Sequence, residues 1–400
     1  MIRRHLRNAD TLFVLLLAVA CTVLAFLPTG FEGARHQGSL HDKARVLAVD
    51  DTGVRSTRLI KTGTQTLKVE MLTGPLEGKT VQVLNELKGS MEVDEIYRPG
   101  HKVLVEYATR GDGSVSAAYA RGKHRLDLTF LLMGLFGLLL FAVAGVTGVK
   151  ALLSFVFTVL MLWKVLYPAV LKGHDPILVS LAVSTALIGA ICFLVGGVGR
   201  KGLVTFLGSL LGLLLTCGLA MLFTRQFGIH GAVQPYATSL LFAGFLDINL
   251  TRLFMAGIFV AASGALMDVA MDIAASMHEI HEKRPDITLR EHVASGMAVG
   301  RAVIGTMTTT LLLAYSGSYS AMLMLFMGQG VPLENIFNLS HVAGEVLHTL
   351  VGSFGLVAVA PFTALAGGIV YRWRPAAAHR LPNPTRVARC DRLETMDARR

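Results

Sequence analysis

Eight long apolar runs constrain the fold of this chain more than any other feature. A helix that crosses the hydrocarbon core of a bilayer needs about 20 mostly apolar residues in succession. Hydrophobic residues make up 53% of the 400 positions and charged residues 16%, a balance typical of membrane proteins. We therefore predict an α-helical polytopic membrane protein with about eight spans, at residues 11–27, 126–146, 151–171, 177–198, 203–223, 253–277, 302–327 and 347–371. A further apolar stretch, 235–246, is too short to span and is predicted to be re-entrant or interfacial.

The basic residues predict the orientation of these spans, because cytoplasmic loops are enriched in Lys and Arg. They precede the first run, fall on alternate connections and follow the last run, at Arg3, Arg4, Arg7, Lys150, Arg200, Lys201, Lys283, Arg284, Arg290, Arg372, Arg374, Arg380, Arg386, Arg389, Arg392, Arg399 and Arg400. Both termini are therefore predicted to be cytoplasmic. The net charge of +10 is assigned to topology and to contact between the tail and anionic membrane lipid. Nucleic acid is not an expected partner, since the tail arginines lie among Pro and Ala without aromatic platforms.

The first run has two interpretations. A basic start followed by an apolar core is typical of a secretory signal peptide, which is removed. No small-x-small cleavage site follows Leu27, where the sequence continues Pro-Thr-Gly, so an uncleaved anchor is predicted. Three of the four cysteines lie in predicted spans and Cys390 lies in the tail, which gives no disulfide framework.

One sizeable polar segment separates the first two spans. Five stretches in it alternate apolar and polar residues as strands do, at 44–49, 66–72, 80–87, 102–109 and 114–120. Breaks such as Gly74-Pro75 and Pro99-Gly100 separate them. This spacing favours a small OB-like β-rich domain on the extracytoplasmic side. The predicted domains are the N-terminus with the first anchor (1–34), the β-rich domain (35–123), a seven-helix membrane domain (124–371) and a disordered basic cytoplasmic tail (372–400).

Two carboxylates stand inside the span at 253–277. Asp268 and Asp272 are four positions apart, so they project from the same face of a helix. An aspartate at the centre of a span costs about 2.5–3.5 kcal/mol, and two ionised acids this close repel each other. We therefore predict that the pair handles a proton or a cation. The alternative is a structural carboxylate that hydrogen-bonds a neighbouring helix.

Polar residues on the following span extend this predicted path. Arg301 marks its cytoplasmic entry, and the polar residues that follow are Thr306, Thr308, Thr309, Thr310, Tyr315, Ser316, Ser318 and Tyr319. Threonine hydroxyls bond either back to their own helix or across to another, so both an ion track and ordinary interhelical packing fit the pattern. On the cytoplasmic side, Thr288 and Glu291 are predicted to cap a short amphipathic helix. His278 and His281 are predicted to form a solvated helix end.

A third motif precedes the last predicted span. His341, Glu345 and His348 fall within an arc of about 60° on a helix, a geometry that can hold a divalent metal. Two other interpretations are favoured over metal coordination: a proton-linked or substrate-facing Glu345, and the capped start of an amphipathic helix. No metal and no cofactor is therefore predicted.

The motifs GALMDVAMDIAASMHEI (264–280), GRAVIGTMTTTLLLAYSG (300–317) and EVLHTLVGSFGLVAVAPFTAL (345–365) together resemble the YibE/F family. The resemblance covers most of residues 125–371. It implies a multi-spanning protein of the bacterial plasma membrane with an N-terminal extracytoplasmic β-rich segment, and it brings no established function. The matching positions are Asp268, Gly300, Arg301, Gly305, Thr306, Met307, Thr310, Leu311, Tyr315, Gly317, Glu345, Gly352, Gly355 and Pro361. The family pattern keeps the acid at 345 but not the histidines, which argues against a metal site.

The sequence departs from the family pattern at three positions. Asp272 stands where Ser is usual, Ala302 where Asp is usual and Thr309 where Asn is usual. Asp268 is therefore the safer of the two acids. We hypothesise that the acid gained at 272 replaces the acid lost at 302.

These patterns predict an integral membrane transport protein that couples proton or cation movement to an unknown substrate. The predicted path residues are Asp268, Asp272, Arg301, Thr306, Thr309, Thr310, Tyr315 and Glu345. One alternative is a proton-driven machine acting on extracytoplasmic polypeptide or envelope material, because an acidic span, a charged elbow and a Thr-rich span are similar to secretion motors of the resistance-nodulation-division superfamily. Another is a non-transporting scaffold. A second copy of the chain, or an envelope component bound by the β-rich domain, is a candidate partner. The sequence lacks G-x-S-x-G, H-E-x-x-H and P-loop patterns, so no enzyme is predicted.

Overall fold

The computed structural model describes residues 2–31, 39–91, 93–109 and 115–372, without the side chains of residues 2–8, 315 and 318. Of the predicted tail 372–400, all but Arg372 lies outside the described residues. The chain divides into two compact units. One is Thr22–Val156, and the other combines Met1–Cys21 with Phe157–Arg400.

The unit Thr22–Val156 contains a β-barrel. The described strands are β1 (Ser39–Asp50), β2 (Val54–Thr57), β3 (Ile60–Met71), β4 (Thr80–Lys88), β5 (Lys102–Thr109) and β6 (Val115–Lys123). Strand β1 pairs antiparallel with β3 and β5, β3 with β4, and β5 with β6, whereas β4 and β6 run parallel. The closed order β1-β3-β4-β6-β5-β1 is a five-stranded Greek-key arrangement, as in OB-type barrels. The predicted five-stranded barrel is therefore confirmed, and β2 adds a short hairpin with β3.

The barrel has an apolar core with one polar bridge. Val69, Val83 and Val105 are fully buried on inward-facing strand positions. Gln65, also fully buried, accepts hydrogen bonds through its Oε1 from the Asn85 amide (3.1 Å) and from the Tyr97 backbone N–H (3.1 Å). The bridge satisfies both buried amides and ties the segment before β5 to the barrel strands.

The described helices include seven that are long and apolar enough to cross a membrane. The helices are α1 (Ile2–Phe26), α2 (Leu126–Met161), α3 (Tyr167–Leu171), α4 (Pro176–Gly196), α5 (Arg200–Gln226), α6 (Ala237–Phe242), α7 (Leu250–Lys283), α8 (Leu289–Gly328), α9 (Leu333–Asn338) and α10 (Ser340–Arg372). A π-helical turn, Leu162–Leu166, joins α2 to α3. Within the predicted re-entrant or interfacial stretch 235–246, α6 has only 6 residues.

Helix α2 turns back on itself at Gly145. This residue has φ 54° and ψ −128°, which break the helical geometry. The Phe136 and Phe155 rings lie 6.4 Å apart, although residues 19 positions apart in a straight helix are separated by about 28 Å. A Cβ at Gly148 would overlap the Leu140 carbonyl oxygen. The predicted spans 126–146 and 151–171 thus correspond to two arms joined by a tight turn, and the total number of membrane crossings stays a prediction.

The core of the helical unit centres on α7, which packs against α4, α5, α8 and α10. Its buried face includes Leu266, Val269 and Ile273, which are 0% exposed. Small residues bring the helices close together: a Cβ at Gly208 would overlap the Thr363 side chain, and one at Gly355 would overlap Thr216. Such contacts are typical of helix packing in membranes, where interfaces are rich in small residues.

Helix α8 differs from its prediction in length. The predicted cap is confirmed, since the Glu291 backbone N–H donates to Thr288 Oγ1 (3.3 Å) and the Thr288 N–H donates to the Glu291 carboxylate (3.2 Å). The short amphipathic helix predicted to follow it is wrong as a separate element. It continues without interruption into the predicted span, because the intervening residues contain no Pro.

Candidate functional site

Asp268 and Asp272 lie on the exposed face of α7, opposite its buried face. Ala261 and Gly264 are exposed on the same helix one to two turns earlier. Within the described part of the chain, no hydrogen bond or ion pair reaches either carboxylate, and the charge interaction of Asp268 is with Asp272. Asp268 and Asp272 are therefore two neighbouring carboxylates without a cationic partner among the described residues. They lie on a helix long enough to span the bilayer.

The contacts of Gly300 fix the depth of these acids relative to α8. A Cβ at Gly300 would lie 2.8 Å from the Ala360 Cβ and 3.2 Å from the Ile273 Cδ1. Gly300, where the motif 300–317 begins, therefore lies at about the same depth along the helix axes as Asp272, which directly precedes Ile273. This adjacency places Ala302 and Asp272 at similar depths on neighbouring helices.

The four threonines of α8 all hydrogen-bond to their own helix. Each hydroxyl donates to a backbone carbonyl three or four residues earlier: Thr306 to Val303 (3.0 Å), Thr308 to Ile304 (2.8 Å), Thr309 to Thr306 (2.9 Å) and Thr310 to Thr306 (3.2 Å). All four residues are exposed. A hydroxyl that donates in this way keeps its lone pairs as acceptors, so the row presents acceptor oxygens along the helix surface.

Arg301 lies in a different environment from the acids. It lines a cleft of about 520 Å³ together with Gly305 on α8, Leu215 on α5, and Val357 and Pro361 on α10. Pro361 has no N–H, so the Val357 carbonyl lacks its usual helical donor. Among the residues described, Arg301 forms no salt bridge with Asp268 or Asp272. The structure thus does not bring the arginine and the acid pair together.

The packing of α8 against α10 brings a polar side chain close to Glu345. Glu345 is partly buried near the start of α10, and its carboxylate interacts electrostatically with the Tyr319 phenol on α8. Both residues line a cleft of about 610 Å³ between the last part of α8, the connection through α9, and α10. Tyr315, also a predicted path residue, has a side chain outside the described residues.

The three candidate metal ligands are not grouped as a metal site. No set of three or more His, Cys, Asp and Glu side chains suited to a metal occurs among the described residues. The His341 Nδ1 lies 3.0 Å from the Val233 carbonyl oxygen, and His348 is half-buried. His341, Glu345 and His348 therefore have separate surroundings despite their helical spacing.

One cluster of titratable side chains was not predicted from the sequence. The ring of Tyr371, at the end of α10, lies 5.3 Å from His281, 5.4 Å from His292 and 5.7 Å from His278. His292 is 3% exposed, and its Nε2 lies 2.9 Å from the Met277 carbonyl oxygen. His278 and His281 are therefore half-buried against a tyrosine and do not form the solvated end that was predicted. Because Tyr371 joins the cluster from a distant part of the chain, local spacing gives no signal for it.

Comparison with known proteins places the chain in a family. Residues 132–373 match the YibE/F-like protein family, and residues 41–121 match the YibE/F family N-terminal domain. No curated protein and no solved structure matches the chain. The N-terminal match covers most of the β-barrel, and the longer match includes Asp268, Arg301 and Glu345. The chain is a membrane protein and belongs to the YibE/F family.

Proposed function

We propose that this protein is a transporter of the bacterial plasma membrane in which Asp268, together with Asp272, binds and releases a proton or small cation. The observation that carries the proposal is the pair of carboxylates on the exposed face of α7 without a cationic partner among the described residues. Ionisable residues within membrane spans are expensive and usually mark proton or ion pathways.

The charge of the pair explains why a proton or cation would bind there. Two carboxylates one helical turn apart repel each other when both are ionised. A proton or a bound cation removes part of this repulsion, and it also lowers the cost of holding the acids at membrane depth. We propose the hydroxyls of Thr306 and Thr310 on α8, which keep acceptor lone pairs, as further ligands or relay groups.

Helix α7 is suited to transmit the change in charge. Its other face packs against four helices, including α10, which carries Glu345. Because packed helices shift as units, loading and release at Asp268 would favour different arrangements of α7 against these neighbours. Movement of substrate would be coupled to that change.

Proton flux into liposomes containing the purified protein and an internal pH dye tests the proposal. Under an imposed potential, we expect flux in the wild type and a fall to the level of empty liposomes in Asp268→Asn. Glu279→Gln is the matched control, because Glu279 is an exposed acid on the same helix that pairs with Lys283 (2.7 Å) near its end. Equal flux in the wild type and Asp268→Asn would refute the assigned role of Asp268.

A second candidate function has one observation in its favour. The β-barrel belongs to a compact unit and has its own core. A proton-driven machine needs such a separate domain to act on extracytoplasmic material. Hydrogen exchange of barrel peptides in energised and de-energised proteoliposomes separates the two functions. A machine predicts barrel protection that changes with the proton gradient and stops changing in Asp268→Asn, whereas a transporter predicts unchanged protection.

A further inference from the structure

The cleft that contains Glu345 has the size and composition of a ligand site. Its volume of about 610 Å³ lies within the range of about 300–1,000 Å³ typical of small-molecule pockets. Most of its lining is aliphatic or aromatic, with Leu312, Leu323, Met327, Ile336 and Phe337 as examples. Methionine adapts its shape easily, so such a lining accepts apolar bodies of differing form.

The charge of the cleft is one-sided. Among its lining residues, all of them described, Glu345 is the only acidic residue, and none of them is Lys, Arg or His. The polar group that interacts with it there is the neutral phenol of Tyr319. Arg301, which is also on α8, lines a separate cleft and does not neutralise Glu345. A carboxylate in apolar surroundings is strongly stabilised by a cation that can hydrogen-bond to it.

We propose that this cleft binds a cationic amphiphile, a molecule with a long apolar body and a protonated amine, and that Glu345 is its counter-ion. The apolar lining takes up the body of the molecule, and the carboxylate takes up the ammonium group. An anionic amphiphile is excluded, because it would meet Glu345 without any compensating cation in the lining. The inference names a substrate class for the proposed transport function and rests on that function only for the transport step, not for binding.

Photo-crosslinking of the full chain in phosphatidylcholine nanodiscs tests the binding. Two probes with the same diazirine-bearing alkyl chain are compared, one ending in a primary amine and the other in an alcohol. We expect the amine to label peptides within residues 312–350 at least about tenfold more than the alcohol, which is about 1.4 kcal/mol in affinity, because only the amine can form a charge-assisted hydrogen bond with the carboxylate. Glu345→Gln should reduce amine labelling to the level of the alcohol.

Two further variants keep the result interpretable. Glu334→Gln removes an exposed acid of α9 that does not line the cleft, and it should leave amine labelling unchanged. Leu323→Trp keeps the carboxylate but fills the cleft, so it should reduce labelling by both probes. This variant tests binding in the cleft if Glu345→Gln does not fold. Equal labelling by amine and alcohol in the wild type would mean that the cleft holds only lipid chains. Amine labelling that survives Glu345→Gln or Leu323→Trp would equally overturn the proposal.

The labelling is carried out without a proton gradient. A failure of the transport proposal therefore leaves the crosslinking result standing, and a failure of the crosslinking leaves the flux result standing.

Discussion

Gly305 and Gly355 both match the family pattern, yet they have different structural roles. A Cβ at Gly355 would overlap the Thr216 hydroxyl and lie 3.3 Å from Leu266 Cδ2, whereas a Cβ at Gly305 meets nothing within 4 Å. The Thr216 hydroxyl is itself fixed by donating to the Gly212 carbonyl (2.8 Å). A motif match alone does not distinguish a glycine needed for close helix approach from one beside open space.

Alanine substitutions at these two glycines should change the free energy of unfolding in different directions. Gly355→Ala should lower the free energy of unfolding by about 1–3 kcal/mol, since overpacking a tight contact forces neighbouring groups to move. Gly305→Ala should leave it unchanged or raise it by up to about 1 kcal/mol, because alanine favours helix over glycine. Denaturant unfolding of both variants in detergent checks this, and equal effects would contradict the assigned contact with Thr216.

Tyr107 makes the barrel sensitive to alkali. Burial raises the pKa of its phenol to about 12, and the hydrogen bond donated to Asp42 (2.6 Å) acts in the same direction. A raised pKa means that the folded state holds the proton more tightly than the unfolded state, whose tyrosine pKa is about 10. The contribution to stability is therefore complete below pH about 10 and is lost as the pH rises through about 12.

Tyrosinate absorbance and far-UV circular dichroism during alkaline titration test this expectation. Tyr107→Phe should remove one late-ionising tyrosine and weaken the dependence of barrel unfolding on pH. Tyr119→Phe, on the adjacent strand β6, keeps the Tyr107–Asp42 bond and is the control. An identical alkaline profile in Tyr107→Phe and wild type would show that the buried phenol does not set the transition.

At the scale of elements, the periodicity of the sequence predicted most of the strands and helices. It did not predict which strands pair with each other or which helices contact each other. The five predicted strands are present, because alternating burial leaves a clear period of two. Strand β2 was missed, since it has only 4 residues and three of them are exposed. The parallel contact of β4 with β6, and the meeting of Tyr319 with Glu345, depend on tertiary packing that no local pattern encodes.

The adjacency of α7 and α8 sharpens the hypothesis that the acid at 272 replaces one at 302. Gly300 packs beside Ile273, and both Asp272 and Ala302 are exposed, so a carboxylate at either position would share the same membrane depth. We expect Asp272→Ser to reduce proton flux in liposomes and Asp272→Ser/Ala302→Asp to restore it. Ala298→Asp in the Asp272→Ser background is the control, because it adds an exposed acid one turn closer to the start of α8. Rescue by both acids, or by neither, would contradict the replacement.

At the scale of the whole molecule, the sequence predicted a polytopic protein with a barrel after its first helix, and both features are present. The side of the membrane on which each part lies rests on charge alone, because the positive-inside rule acts on short loops and span ends. The predicted arrangement puts the barrel outside and the basic tail inside.

Cysteine labelling in spheroplasts tests that arrangement. Cys21, Cys192 and Cys217 are buried, which leaves Cys390 of the tail and an introduced Ser56→Cys on exposed β2 as reporters. A membrane-impermeant maleimide should label Ser56→Cys in intact spheroplasts and Cys390 only after permeabilisation. Labelling of Cys390 from outside would place the tail on the opposite side from the prediction.

The central claim, in its proton-coupled form, is that Asp268 takes up and releases a proton within the membrane. Infrared difference spectroscopy of the protein in lipid, recorded across a pH titration, observes this step through the C=O stretch of a protonated carboxyl group. We predict a band that titrates in the wild type, shifts on deuteration and is absent from Asp268→Asn while persisting in Glu279→Gln. A wild-type spectrum without such a band, or a band that survives Asp268→Asn, would contradict the account.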